Sequence, residues 1–196
     1  MNSSKIVRLA GGGFLLLLLI ATVVSYNRLV SLEEKMKQQW SEVNNAYQRR
    51  TDLLPNLVNV VKGQADFEKS TLEKMVEART RAASVNLSAG EPTPENIRNS
   101  SAAQNELAVS ANRLIATIER YPELKGTEAF RGLQTQLEGT ERRIKYARKD
   151  FNEAVAAYNS RLRSFPVNIV GKLFGFTSKE GFQADTGADR AVEIQF

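Results

Sequence analysis

The chain reads as an all-α protein: an N-terminal transmembrane helix followed by an elongated antiparallel bundle of about four long helices. Three observations predict this. No side chain from Leu9 to Asn27 is charged, the apolar residues beyond recur at steps of three and four, and no alternating strand pattern competes with them before residue 165. The expected organisation is a cytoplasmic N-terminus over 1–8, a membrane helix over 9–27 and an extracytoplasmic helical bundle over 28–164. An apolar segment over 165–176 and a flexible polar tail over 177–196 complete it.

The uncharged run is about 19 residues, or roughly 28 Å of helix, enough to cross a hydrocarbon core of about 30 Å. A cleaved signal peptide would share its basic start at Lys5 and Arg8 and its apolar centre. The exit, Ala21-Thr-Val-Val-Ser-Tyr-Asn-Arg28, matches a cleavage site poorly, and a lipoprotein anchor needs a cysteine that the chain lacks. A retained anchor is the better reading. Lys5 and Arg8 favour a cytoplasmic N-terminus, while Arg28, Lys35 and Lys37 on the far side reduce the contrast.

Leu29, Leu32, Met36, Trp40, Val43 and Tyr47 form one helical stripe with no breaker before it, so the span should continue as a stalk. Pro55 cannot donate to residue 51 and crowds its carbonyl, which predicts a kink or a restart there. Leu57, Val58, Val61, Ala65, Leu72, Met75, Val76 and Arg79 then keep a helical period to about Val85. The run from Asn86 to Pro94 holds Gly90 and two prolines and reads as a loop; Thr93 and Pro94 supply a cap and a first-turn proline for the third helix. That helix runs to about Arg120 through Ile97, Gln104, Leu107, Ala111, Leu114, Ile115 and Ile118. Tyr121-Pro122 predicts a turn and Thr127 a fresh start. The fourth helix carries Phe130, Leu133, Leu137, Ile144, Ala147, Phe151, Val155, Tyr158 and Leu162. Leu, Ile, Val and Ala should fill the core, with Trp40, Phe130 and Phe151 as bulk. Short loops between long helices favour antiparallel packing.

Composition removes much chemistry. There is no His and no Cys, hence no Ser-His-Asp or Cys-His pair and no ordinary zinc, copper or haem site. No cofactor and no metal is expected, and no catalytic residue stands out. The net charge of +5 falls to +3 once Lys5 and Arg8 are set aside. That suits a surface over anionic lipid and is a weak footprint for nucleic acid. Gly11, Gly12 and Gly13 lie inside the span, where small residues mark close helix packing.

Tyr26-Asn27-Arg-Leu-Val30 and Gln48-Arg-Arg-Thr-Asp-Leu-Leu-Pro-Asn-Leu-Val58 resemble the opening of the LemA family. So do Tyr121-Pro-Glu-Leu124, Leu133-Gln134, Thr140-Glu-Arg-Arg-Ile144, Ala147-Arg148 and Tyr158-Asn159, in matching order and spacing over residues 26–176. The resemblance implies a protein anchored in the bacterial inner membrane, with an extracytoplasmic helical bundle and no assigned enzyme activity. The family includes a protein needed to build magnetosome membranes, so the resemblance points towards membrane shaping.

Three patches invite a sharper reading. Arg142, Lys145 and Lys149 share a face of the fourth helix, with Glu138, Glu141 and Glu153 in pairing reach. A solvated, salt-bridged face is the plain reading, and lipid headgroups or a neighbouring protomer the functional one. The second patch is Phe165–Phe176. A short helix from Val167 would put Val170, Leu173 and Phe174 on one apolar face with Ile169 beside it, and Phe176 follows. It either folds over the open end of the bundle or dips into the bilayer or joins a neighbour. The third is the terminus, where Ile194 and Phe196 resemble a PDZ-type ligand; an unstructured or locally paired tail is the alternative. The function expected is a self-associating membrane scaffold with the lipid bilayer and its own copies as partners. The alternative is an adaptor of an envelope protease or transporter. Nucleic acid is not expected.

Overall fold

The computed structural model describes residues 3–62, 68–88 and 90–183, and within them the side chains of 11–62, 68–86 and 90–183. The described residues form six helices and no strand: α1 (Ser3–Val61), α2 (Lys69–Ser88), α3 (Pro94–Ile118), α4 (Pro122–Lys125), α5 (Glu128–Arg163) and α6 (Val167–Leu173). They fall into two compact units. Unit one comprises Met1–Ala46 and Ile144–Lys179, and unit two comprises Tyr47–Arg143 and Glu180–Phe196.

Unit one pairs the first part of α1 with the second part of α5. Trp40 and Phe151, both buried, lie 5.6 Å apart ring to ring. Leu29 packs with Tyr158 and Val167, and Leu162 closes on the same cluster. Low residue numbers on α1 therefore face high numbers on α5, the antiparallel arrangement that the two apolar stripes require. Ring pairs of this kind add about 0.5–1.5 kcal/mol beyond their burial.

Unit two has a core drawn from five helices. Leu54, Leu57 and Val61 of α1 meet Met75, Ala78 and Ala82 of α2, and Leu107, Ala111, Leu114 and Ile118 of α3. Leu124, Phe130 and Leu137 belong to the same cluster. These positions step by three and four within each helix, so each stripe faces the common core.

The break expected at Pro55 lies elsewhere. α1 runs through Pro55 to Val61, and α2 begins at Lys69. The carbonyl of Thr51, which Pro55 cannot serve, accepts instead from Nε of Arg79 at 3.2 Å. A guanidinium from the next helix thus replaces the missing intrahelical donor, and the proline is tolerated. The single period read from Leu57 to Val85 is two helices. Val61 and Leu72 stand close to a whole number of turns apart, so the pattern keeps phase across the interruption. Ala65 lies outside the described residues.

The caps hold as the sequence suggests. Oγ1 of Thr93 accepts from the Asn96 N–H at 3.1 Å, with Pro94 in the first turn. Oγ1 of Thr127 accepts from the Phe130 N–H at 3.2 Å and donates to the Leu124 carbonyl at 2.8 Å. The turn expected at Tyr121-Pro122 is the start of α4, whose four residues fold as one helical turn after the proline.

A polar knot is set into unit two. Arg50 is buried, and its Nη1 donates to the backbone carbonyl of Gln104 at 3.1 Å and to its Oε1 at 3.2 Å. Its Nη2 pairs with Oε2 of Glu141. Gln104, which follows the apolar stripe of α3, is completely buried there as the partner of a cation. The bonds from Nη1 and Nη2 to the two oxygens of Gln104 and to Glu141 offset the cost of burying both groups.

Candidate functional site

Phe14 to Ile20, Val23 and Val24 present their side chains outward, and a Cβ added at Gly11, Gly12 or Gly13 would meet nothing within 4 Å. By length and composition this part of α1 can cross a membrane. Among the described side chains, Ser25 is the first buried residue along it.

Immediately after Ser25 the chain builds an aromatic cluster. The Tyr26 ring stands edge-on to Phe174, with centroids 5.0 Å apart, and to Phe176 at 5.5 Å. Both phenylalanines come from the end of α6. Gly171 is what lets that helix approach so closely: a Cβ there would lie 2.4 Å from Cδ1 of Leu162 and 3.9 Å from Cδ1 of Leu29. Gly175, at φ 77°, lets the chain leave α6 in the left-handed conformation, and the Phe176 N–H returns to the Gly171 carbonyl at 2.9 Å. That is a Schellman closure, which turns Phe176 back onto Tyr26.

The face assigned to α6 from sequence needs correcting. Val167, Val170 and Gly171 point inward, whereas Ile169 and Leu173, one turn apart, point outward together with Phe174. Val170 and Leu173 do not share a surface, because the glycine rather than the leucine packs against α5. Phe176 is half-buried. Phe165, in the turn between α5 and α6, is 79% exposed, and Leu173 is 74% exposed.

Sequence reasoning missed the clamp behind this cluster. The Tyr158 hydroxyl donates to the Thr177 carbonyl at 3.1 Å. The Asn159 amide donates to the Lys179 carbonyl at 2.8 Å and accepts from the Lys179 N–H at 2.9 Å. Nζ of Lys179 reaches Oε1 of Glu33 at 2.8 Å. So Thr177–Lys179, read from sequence as the start of a polar tail, are held on unit one. The only signal was the Tyr158-Asn159 pair itself; its partners lie about 20 residues further on. Asn159→Ala should raise amide exchange at Lys179 and destabilise unit one by about 1–2 kcal/mol, read by hydrogen exchange with unchanged helix content. Unaltered protection at Lys179 would contradict the clamp.

Burial and, secondarily, the charge of Glu33 push the Tyr158 hydroxyl up to about 12. Its folded value lies above the ordinary value of 10, so the neutral form is the one the fold favours. Its contribution is complete below pH 10 and disappears as pH rises towards 12.

The other patches are simpler. Arg142 lies in unit two and Lys145 and Lys149 in unit one, all exposed. Nζ of Lys149 sits 3.5 Å from Oε1 of Glu153, an exposed pair one turn along the helix. Glu141 is engaged by Arg50. In unit two an open hollow of about 160 Å³ lies beside Arg50, Asn112, Gln134 and Glu138, and one of about 260 Å³ between the start of α3 and residues 180–183. Among the described residues no cluster of three acidic side chains could hold a metal ion. Ile194 and Phe196 lie outside the described residues.

Comparison with known proteins gives a consistent set of likenesses. The model of the LemA family matches residues 39–196. Magnetosome protein MamQ 2 of Paramagnetospirillum magneticum is 26% identical over 195 residues, covering 88% of this chain and 70% of that protein. Magnetosome protein MamQ of Magnetospirillum gryphiswaldense is 24% identical, with 87% and 69% covered. Protein LemA of Metamycoplasma hominis is 20% identical, with 87% and 78% covered.

Proposed function

The chain belongs to the LemA family, and from that premise we propose that it is a non-enzymatic, single-pass protein of the bacterial inner membrane that organises membrane by self-association. Its N-terminus is cytoplasmic and its helical part extracytoplasmic. The observation that carries this reading is the bare apolar surface of α1 from Phe14 to Val24, joined without a helical break to the packed part of unit one. Forces on the packed helices are transmitted to the lipid through a continuous helix rather than a flexible linker. The open glycine face at 11–13 allows another helix to approach the span closely. The relatives named as magnetosome proteins support a membrane-associated task.

Particle mass tests the proposal. Full-length protein in mild detergent, measured by light scattering after size-exclusion chromatography, should run as a discrete assembly several times the 21.8 kDa chain. A monomer at every concentration would overturn self-association and point to an adaptor that needs another chain.

A further inference from the structure

We infer that α6 is an interfacial foot, seated in the headgroup layer of an anionic bilayer where the span emerges, so that unit one meets the membrane at two places. This rests on the anchor of the proposed function and not on self-association.

The level of α6 follows from its contacts. Tyr26 comes within one helical turn of the exposed span residues Val23 and Val24, and its ring touches Phe174 and Phe176. The α1–α5 register agrees independently. With Trp40 beside Phe151 and Leu29 beside Tyr158 and Leu162, Phe165 comes level with Ser25 and Tyr26. The end of α5, the turn and α6 therefore stand where hydrocarbon gives way to headgroups. Tyrosine is enriched at that depth because its ring is apolar and its hydroxyl polar.

The outward face has the composition of an interfacial helix. Ile169 and Leu173 are large, apolar and exposed on the side of α6 away from Val167, Val170 and Gly171, and Phe165 in the preceding turn is exposed as well. Arg28, Arg161, Arg163 and Lys172, close along the chain to Tyr26 and α6, are all exposed, and neither 26–32 nor 160–176 contains an acidic residue. Arginine and lysine stems can lie along apolar surface while their heads reach phosphate. A second copy is the poorer occupant, since pairing this face with itself would set four cations against four cations with no carboxylate between them. Anionic headgroups supply the missing charge. A lone span leaves a protein free to tilt and turn about it, and the foot removes that freedom from unit one.

The test uses the absence of cysteine from the chain. Full-length protein carrying Leu173→Cys, labelled with nitrobenzoxadiazole, is reconstituted into vesicles of phosphatidylglycerol and phosphatidylethanolamine. Val24→Cys on the span and Tyr146→Cys, exposed on α5 within the same unit, serve as references. The Leu173 label should be blue-shifted, lose most of its emission to a nitroxide carried high on the lipid chain, and resist iodide. The Tyr146 label should do the reverse. Ile169→Cys should repeat the Leu173 result, so a single perturbed site cannot decide the matter. Iodide quenching at Leu173 equal to that at Tyr146 would overturn the foot. Shielding at Leu173 with self-quenching between labelled chains, and no response to the lipid nitroxide, would assign the face to a second copy and overturn it too. Lipid quenching that persists unchanged in pure phosphatidylcholine would remove the role of anionic headgroups. Iodide access at Val24 would instead defeat the anchor itself, so the two failures are distinguishable.

Discussion

Arg50→Ala should destabilise the protein by about 3–5 kcal/mol, from the buried Gln104 oxygens left without donors and the cavity left by a large buried side chain. For a chain of this length that lowers the melting temperature by roughly 10 °C, measurable by circular dichroism of the full-length protein in detergent. The reason is the number of groups that depend on one guanidinium. The Gln104 backbone carbonyl, its side-chain oxygen and the Glu141 carboxylate all receive donors from Arg50. Gln104 is completely buried, so water cannot replace what it loses. Arg50→Lys should recover only a minor part, because the three donors of an ammonium radiate from one nitrogen, whereas Nη1 and Nη2 reach Gln104 and Glu141 from two. Glu141→Gln should be milder than Arg50→Ala, since Glu141 is half exposed and the contacts to Gln104 survive. A melting temperature within about 2 °C of the parent for Arg50→Ala would sink this account.

Trp40→Ala should be of similar size, about 3–5 kcal/mol, by loss of buried aromatic surface and the cavity left behind. Trp40 is the largest buried side chain of the protein's described core and stands against Phe151 between α1 and α5. Trp40→Phe retains a ring facing Phe151 and should lose less. Hydrogen exchange would separate the two substitutions by location. Faster exchange should centre on 29–46 and 144–163 for Trp40→Ala, and on 47–61 and 100–111 for Arg50→Ala. If both variants melt with the same local pattern, assignment of the two residues to separate units is wrong.

The family stretch from Gln48 to Val58 shows why a sequence pattern can be legible while its reason is not. Arg50, Pro55, Leu54 and Leu57 sit within a few turns of each other, yet each answers to something distant. Arg50 answers to α3 and α5, the carbonyl left by Pro55 answers to Arg79 on α2, and the leucines join the shared core. Likewise Tyr158 and Asn159 were visible as a pair, whereas their work is to hold a backbone segment beyond α6. In α6 the spacing puts Val170 and Leu173 on one face, whereas the structure buries Val170 and exposes Leu173. Close packing of Gly171 on Leu162 decided the rotation of the helix, and no local periodicity encodes that contact.

By itself the sequence determined the all-α class, the apolar span, the caps at Thr93 and Thr127, and which stripes are buried. These depend on periodicity, on uncharged length and on hydrogen bonds to neighbouring residues, all of which are local. The tertiary structure alone decided where the long helical pattern breaks, how Pro55 is accommodated, what Arg50 and Asn159 bind, and which side of α6 faces outward. Each of those is settled by a donor, an acceptor or a close contact supplied from far along the chain. Periodicity says that a residue is covered; only the fold says by what.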